Sequence, residues 1–298
     1  MNRPFLKMNG AGNDFVVVEA RSLPFAPEPA LIRAIAGRDG PSGCDQLIAI
    51  EPSARADAFM RIWNSDGGQV DACGNATRCV GWLLLEQNQA DTASIETNAG
   101  LIGVERAGAL KVRVDMGEPA LDWWKIPLAE PVETASLDIK AEPNLAFPGA
   151  VNMGNPHMVF FVTDVEALPI EEIGPPLEHH PLYPERANVG FAEIKAKDRM
   201  RLRVWERGAG LTKACGTGAC AAVVAAARRG LTGRKVAVEM DGGELLIEWR
   251  ESDNHVLMTG PVAFEFTGML DDGAARTKGL FMRPSLGPPP WRRRPASR

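Results

Sequence analysis

Two cysteines stand in equivalent settings in this chain, and thiols so placed can act as acid and base. Cys73 lies in Ala72-Cys73-Gly74 and Cys215 in Ala214-Cys215-Gly216. Each precedes a helical pattern, and the N–H groups and macrodipole of a helix N-terminus favour negative charge. We therefore expect both thiol pKa values to lie below the reference of about 8.5. A thiolate on one face of a carbon and a thiol on the other could invert that carbon by moving a proton on each face.

The two cysteines belong to an internal repeat whose matching residues are 142 positions apart. Arg61-Ile62-Trp63 matches Arg203-Val204-Trp205, and Gly12-Asn13 matches Gly154-Asn155. The chain is therefore predicted to hold two copies of one domain. We place the N-terminal copy at residues 1–118, with a closing strand near 262–270, and the C-terminal copy at residues 119–261.

Each copy is predicted to be mostly strand with one helix. Short β-branched or alternating runs occur at 15–19, 46–51, 60–63, 110–115, 201–205, 235–240 and 244–249. The helices are expected at about 75–87 and 217–229, the second ending at Gly230. Residues 219–227 are apolar or small on every face, so this helix must be buried all round. We predict an α+β fold of two pseudo-symmetric domains facing each other across a cleft, each a curled, β-barrel-like sheet around a central helix.

Composition excludes several classes of protein. The chain is 45% hydrophobic and 24% charged with a formal net charge of −5, so no broad nucleic-acid surface is expected. No apolar run reaches the roughly 20 residues of a membrane helix, and no secretory signal is visible, which favours a cytoplasmic protein. Five cysteines without a CxxC pair predict neither a disulfide framework nor a metal site. The Pro- and Arg-rich stretch 274–298 is expected to be disordered.

Polar residues at matched positions of the repeat predict a polar cleft rather than two hydrophobic cores. The matched pairs are Asn13 with Asn155, Gln46 with Asn188, and Asn64 with Glu206. Arg207 is the natural clamp for a carboxylate, because its planar fork matches that group. His157 and Glu206 are candidates for tuning the thiol pKa values or for shuttling protons to the thiols.

These residues resemble the diaminopimelate epimerase family over roughly residues 3–268. The segments that carry the resemblance are 8–15, 72–79, 154–157, 206–210 and 214–220. Two departures are Asn9, where the family often has His, and Ala76, where Gly is common.

The resemblance implies cofactor-independent epimerisation of LL-2,6-diaminopimelate to the meso form by a cytoplasmic homodimer. Cys73 and Cys215 would be the two bases, and His157 and Glu206 would adjust their pKa values. The substrate would be bound by Asn13, Gln46, Asn64, Gly74, Asn75, Asn155, Asn188, Glu206, Arg207, Gly216 and Thr217. The glycine and following residue after each cysteine would hold the reacting carboxylate at the helix ends.

Three alternatives remain open. A proline racemase-like two-cysteine isomerase would resemble Cys-Gly-His at the first thiol, whereas this chain has Cys73-Gly74-Asn75. A thiol redox protein would use two facing thiols as a disulfide, but the missing CxxC and the polar lining argue against it. A non-catalytic binding module predicts that replacing Cys73 or Cys215 by serine is harmless.

Overall fold

The computed structural model describes residues 2–40, 42–142 and 145–271, with the side chains of residues 3–40, 42–142 and 145–270. Two compact units divide the chain. The first contains the described residues up to Val114 and from Gly260 onward, and the second contains Asp115–Thr259. These bounds lie a few residues before the predicted domain limits at 118 and 261. The predicted disordered stretch 274–298 lies outside the described residues.

The described residues form 19 strands and four helices. The first part of the chain contains β1 (Asn2–Gly10), β2 (Asn13–Glu19), α1 (Pro29–Ala36), β3 (Gln46–Glu51), β4 (Ala58–Asn64), β5 (Gln69–Val70), α2 (Gly74–Asn88), β6 (Thr92–Thr97), β7 (Gly100–Gly108) and β8 (Lys111–Asp115). The second part contains β9 (Lys140–Glu142), β10 (Leu145–Ala146), β11 (Gly149–Asn152), β12 (Pro156–Val162), α3 (Ile170–Glu178), β13 (Asn188–Ala196), β14 (Arg199–Glu206), β15 (Gly210–Thr212), α4 (Gly216–Arg228), β16 (Lys235–Met240), β17 (Gly243–Trp249) and β18 (Val256–Pro261). The last strand, β19 (Ala263–Asp271), belongs to the first unit.

The sheet of the first unit curls around α2. Its strands follow the order β19, β1, β2, β3, β4, β6, β7 and β8, with β2–β3 and β4–β6 parallel and the other neighbours antiparallel. Helix α2 contacts strands from both halves of this order, namely β1 and β2 as well as β6 and β7. On the other side of the sheet Val16 and Val18 pack with Ile32 and Ile35 of α1. The central strands are thus buried on both faces, which explains their continuous apolar runs.

The second unit repeats this arrangement around α4. Its strands follow the order β11, β12, β13, β14, β16, β17 and β18, and the parallel pairs are β12–β13 and β14–β16. Helix α4 contacts β11 at one end of the series and β17 near the other. Residues 219–226 are at most 2% exposed and only Ala227 of the predicted stretch 219–227 is partly exposed, so the predicted all-round burial is confirmed for residues 219–226. The α+β fold of two domains, each a curled sheet around one helix, is therefore the fold of this protein.

The strand register is the same in the two units at positions related by the repeat. In the first unit Phe15 lies opposite Gln46 and Leu47 opposite Trp63. In the second unit the residues 142 positions later are paired in the same way, since His157 lies opposite Asn188 and Val189 opposite Trp205. Matching side chains therefore occupy matching faces, because strand side chains alternate with a period of two.

Each unit contains a second helix that the sequence pattern did not predict. Helix α1 buries Ile32, Ile35 and Ala36 on one side. Helix α3 contains Pro175 and Pro176, which sequence rules treat as helix breakers, yet it buries Ile170, Ile173 and Leu177 against the sheet. Burial of one apolar face compensates for short length and poor propensity. Across the described part of the chain, no helix is both long and apolar enough to span a bilayer.

Candidate active site

Both cysteines occupy the residue immediately before a central helix, as predicted. Cys73 caps α2 with an extended backbone (φ −149°), and Cys215 caps α4 in the same conformation (φ −125°). The carbonyls of the two cysteines accept from Thr77 N and Ala219 N at 2.9 Å. The N–H groups of the three residues after each cysteine therefore precede the first intrahelical bond. Each unit places one thiol beside a set of amide groups suited to an anion.

In the first unit the Cys73 thiol lies next to the side chain of Asn13. The Cys73 Sγ donates toward Asn13 Oδ1 at 3.9 Å. The amide of Asn13 is held in this orientation because its Nδ2 donates to Asp45 Oδ2 at 2.7 Å. The structure thus brings together Cys73 and one predicted substrate-binding residue. It also shows that Asp45, which was not predicted as a site residue, orients the side chain of Asn13.

Two other predicted polar residues of the first unit, Gln46 and Asn64, form a neighbouring pair. Gln46 and Asn64 lie opposite each other in β3 and β4, and Gln46 Nε2 donates to Asn64 Oδ1 at 2.9 Å. Gln46 Oε1 and Asn75 Oδ1 are buried without a hydrogen-bond partner. A buried polar atom without a partner is costly, so these two oxygens mark places where a ligand could donate hydrogen bonds.

In the second unit Cys215 is deeply buried beside Glu206. Cys215 is 4% exposed, and its Sγ lies 3.6 Å from Thr217 Oγ1. Burial first, and the charge of Glu206 second, raise the pKa of the Cys215 thiol well above its ordinary value. Hydrogen bonds from Thr217 and from the Gly218 N–H oppose this rise without cancelling it. The expected lowering of the pKa is therefore wrong for Cys215, because desolvation outweighs the helix terminus.

Glu206 is itself perturbed by the same environment. Burial raises the pKa of its carboxyl, while hydrogen bonds from Thr212 Oγ1 and from the Cys215 thiol act in the opposite direction. The partly exposed Glu206 and the buried Cys215 thus form an acid pair in direct contact. Thr212, in the short strand β15, is a further site residue that no sequence signal distinguished from an ordinary strand threonine.

His157 is fully buried in β12 and uncharged at neutral pH. Burial and the nearby charge of Arg207 lower the pKa of its imidazole to about 3. Its Nε2 lies 2.9 Å from Asn155 Oδ1, which joins two of the predicted site residues. Its Nδ1 is buried without a hydrogen-bond partner. Any proton transfer through His157 would start from the neutral ring.

Asn188 and Arg207 are linked through the backbone. Asn188 is 3% exposed, and its Oδ1 accepts from Arg207 N at 2.9 Å while its Nδ2 donates to Pro156 O at 3.0 Å. The Arg207 guanidinium donates to Glu185 O at 2.9 Å and remains partly exposed. Asn188 thus connects the strand β13 to the turn that carries Arg207.

The site chemistry rests on thiol, amide and carboxyl groups. No group of three or more His, Cys, Asp or Glu side chains suited to a metal ion occurs among the residues that the structure describes. Each unit supplies one thiol whose proton can be given or taken, at a helix start with free N–H groups. The thiol lies beside Asn13 in the first unit, and beside Glu206 and Thr217 in the second.

The sequences of known proteins match this chain over most of its length. The family model described as "Diaminopimelate epimerase" matches residues 5–121 and again residues 149–265. Diaminopimelate epimerase of Phenylobacterium zucineum (strain HLK1) is 62% identical over 273 residues, covering 91% of this chain and 98% of its own. The enzyme of Acidiphilium cryptum (strain JF-5) is 58% identical, covering 90% of this chain and 96% of its own.

Solved structures with low identity share the fold. A PhzF-family phenazine biosynthesis protein of Bacillus anthracis superposes with a TM-score of 0.66 at 16% identity, covering 91% of this chain and 99% of that chain. A hydroxyproline epimerase from Agrobacterium vitis, with bound trans-4-hydroxy-L-proline, reaches 0.64 at 17% identity, covering 91% and 92%. At such identity the likeness concerns the fold alone. The family-model match and the identity to the two bacterial enzymes, however, place this chain in the diaminopimelate epimerase family.

Proposed function

We propose that this protein converts LL-2,6-diaminopimelate into the meso isomer, a step toward lysine and peptidoglycan precursors. The observation that carries the proposal is the repeated placement of one thiol at the start of a buried helix in each unit. Stereoinversion needs one acid/base group for each face of the reacting carbon, and a duplicated domain supplies two related ones. The identity of 62% to a diaminopimelate epimerase names the substrate.

Cys215 is proposed to act as the acid in one direction and as the base in the other. Its raised pKa keeps the thiol protonated in the absence of substrate, with Glu206 in contact. Cys73, the less buried of the two thiols, is then the base that removes the α-proton when Cys215 donates. Both groups exchange roles in the reverse reaction, as microscopic reversibility requires. No metal or other cofactor has a part in this proposal.

The polar residues are proposed to bind the charged groups of the substrate. The N–H groups of Gly74 and Asn75, and of Gly216 and Thr217, would donate hydrogen bonds to the reacting carboxylate. The remaining proposed substrate-binding residues are Asn13, Gln46, Asn64, Asn155, Asn188, Glu206 and Arg207. The two unpartnered buried oxygens in the first unit support this assignment, because an ammonium group could satisfy them. His157 is proposed to act on the thiols as a neutral ring.

Two properties of the family are carried over as part of the proposal. We infer that the enzyme works in the cytoplasm and that it is a homodimer. Gel filtration with light scattering would measure the second directly, and a monomer at enzyme-assay concentrations would reject it.

The test is proton NMR in D₂O with LL-diaminopimelate and reduced, dialysed protein. We expect the α-proton signal to disappear while the meso isomer forms. Absence of exchange with LL-diaminopimelate, together with exchange at proline or hydroxyproline, would replace the proposal by a proline racemase-like activity.

Serine variants test the roles of the two thiols. Cys73→Ser and Cys215→Ser should each nearly abolish epimerisation, and the double variant should be little worse than either, since the two groups act as a unit. Cys44→Ala is the matched control, because Cys44 is a buried thiol in the cluster under α1 rather than at a helix start. Losses that simply multiply in the double variant would contradict the two-base mechanism.

A further inference from the structure

The buried carboxylate of Glu178 lies at the C-terminal end of α3 and organises the backbone near three proposed site residues. It is 4% exposed. Its Oε2 accepts from Trp205 Nε1 at 2.8 Å, and its Oε1 accepts from Gly208 N at 3.0 Å. Arg186 Nη1 lies 3.2 Å from the same Oε1. Both oxygens are therefore engaged by donors that come from elsewhere in the chain.

The first segment held by Glu178 leads into Asn188. Ala187 N donates to the carbonyl of Glu178 at 3.1 Å, so backbone and side chain of this residue act on adjacent positions. Arg186 has φ +63°, a left-handed conformation that is costly for a residue with a side chain. The ion pair with Glu178 and a backbone bond from Arg186 N to Tyr183 O stabilise that conformation.

The second segment is the turn after β14, which carries Glu206 and Arg207. Three consecutive N–H groups of this turn are fixed by different acceptors. Arg207 N donates to Asn188 Oδ1, Gly208 N to Glu178 Oε1, and Ala209 N to Glu206 O. The indole ring of Trp205 also packs against Gly174 of α3. The contact is so close that a Cβ added at Gly174 would lie 2.5 Å from the ring.

These hydrogen bonds connect the two segments to Glu178 and also to each other, and together they form one network. Glu178 fixes the backbone before Asn188 and the turn around Arg207, and Asn188 joins the two by accepting from Arg207 N. A glutamine at position 178 could not reproduce this, since its NH₂ group would face either the Trp205 indole N–H or the Gly208 N–H. The network therefore requires that both side-chain oxygens of residue 178 accept hydrogen bonds, as the oxygens of a carboxylate do.

We propose that Glu178 is a positioning residue of the epimerase reaction, which sets the placement of Asn188, Glu206 and Arg207 by holding the 186–188 segment and the 205–209 turn. The inference rests on the proposed function, because those three residues are among the proposed substrate-binding residues. Glu178 makes no step of the reaction itself. Cys215 contacts Glu206 but is also held on α4 itself, by Thr217 and the Gly218 N–H. The effect of losing Glu178 should therefore be larger on substrate binding than on proton transfer.

The experiment compares Glu178→Gln with two controls in the full-length protein. Glu172→Gln removes an exposed carboxylate from the same helix. Val236→Ala shortens a buried side chain of β16 and supplies a folded protein of reduced stability. For Glu178→Gln we expect kcat/KM to fall by about ten- to a hundredfold, mostly through KM, as for ligands misplaced by a fraction of an ångström. Both controls should keep the wild-type kcat/KM and KM.

A substrate-free readout separates this inference from the proposed function. In ¹⁵N-labelled protein the Trp205 indole signal, assigned with Trp205→Phe, and the Arg207 and Gly208 amide signals should shift in Glu178→Gln but not in Val236→Ala. Should Glu178→Gln fail to fold, Trp205→Phe replaces it, with an expected loss of roughly two- to tenfold in kcat/KM for one hydrogen bond.

Each outcome decides the matter. A Glu178→Gln enzyme within twofold of wild type, or an equal loss in Val236→Ala, would overturn the positioning role. If the wild-type protein has no epimerase activity but Glu178→Gln shows the expected NMR shifts, the proposed function is rejected. The hydrogen-bond network around Glu178 would still be supported.

Discussion

Gly218 lies in the first turn of α4, directly against Cys215, one of the two proposed catalytic thiols, and its replacement by alanine tests the proposed site. A Cβ at this position would lie 3.0 Å from Val204 Cγ2 and 3.1 Å from Cys215 Sγ. Ordinary contacts between such atoms are about 3.5–4.0 Å. Val204 is 1% exposed and lies in a central strand, so it cannot move away from the added Cβ. The side chain of Cys215 must therefore move instead.

The expected effects on stability and on activity differ. Alanine improves helix propensity by up to about 1 kcal/mol, whereas the crowding costs about 1–3 kcal/mol. Gly218→Ala should therefore lower the free energy of unfolding by at most about 2 kcal/mol, or roughly 4–8 °C in the unfolding midpoint. The thiol must shift by about half an ångström, and since misplacement by 1 Å can cost a hundredfold, kcat/KM should fall roughly tenfold.

The repeat supplies the matched control. Ala76 occupies the equivalent position in α2, where its methyl group is fully buried. Ala76→Gly should cost about 1–2 kcal/mol of stability from lost propensity and burial. It should not reduce kcat/KM, because it brings no atom closer to a thiol. Both variants would be compared by the D₂O exchange assay and by thermal unfolding. If Gly218→Ala keeps its activity within twofold of wild type, the proposed dependence on the position of the Cys215 thiol is refuted.

Two further predictions concern buried and paired charges. Burial alone would raise the pKa of Asp14, but hydrogen bonds from Arg38 and Lys7 hold it far below its usual range, so this pairing stabilises the fold above about pH 4 and is lost as the pH falls. Lys7→Met should cost roughly 2 kcal/mol at neutral pH, since Arg38 still pairs, and urea unfolding should show this difference shrinking in acid. The hydrogen bond with Asp115 raises the pKa of His255, so its stabilisation is fully present below about pH 6.5 and disappears as the pH rises through the raised value. The unfolding midpoint of His255→Gln should therefore approach that of wild type between pH 6 and pH 9, and a constant difference would exclude this origin.

Much of the fold was predictable from spacing alone. An offset of 142 residues between matching Trp and Cys positions indicated a duplicated domain, and the same offset recurs in the strand pairing. Helix α4 could be recognised as central because residues 219–227 offer no polar face. The position of both cysteines before a helix also followed from local pattern, since helix starts are set by residues close in sequence.

Helices α1 and α3 could not be found in this way. Each is short, and α3 contains two prolines, so local propensity argued against it. These helices form because they cover the outer face of a sheet, which only the assembled domain presents. Glu178 was overlooked for the same reason, because its donors are 8 to 30 residues away in sequence.

The sequence by itself determined which thiols are paired by the repeat, and it predicted the polar residues that accompany them. Only the tertiary structure decided their ionisation. Cys215 and His157 both have pKa values that favour the neutral form, and burial is the first cause in each case. Desolvation depends on every atom that packs around a group, most of them distant in the chain, so no local motif could have revealed that it outweighs the helix terminus at Cys215.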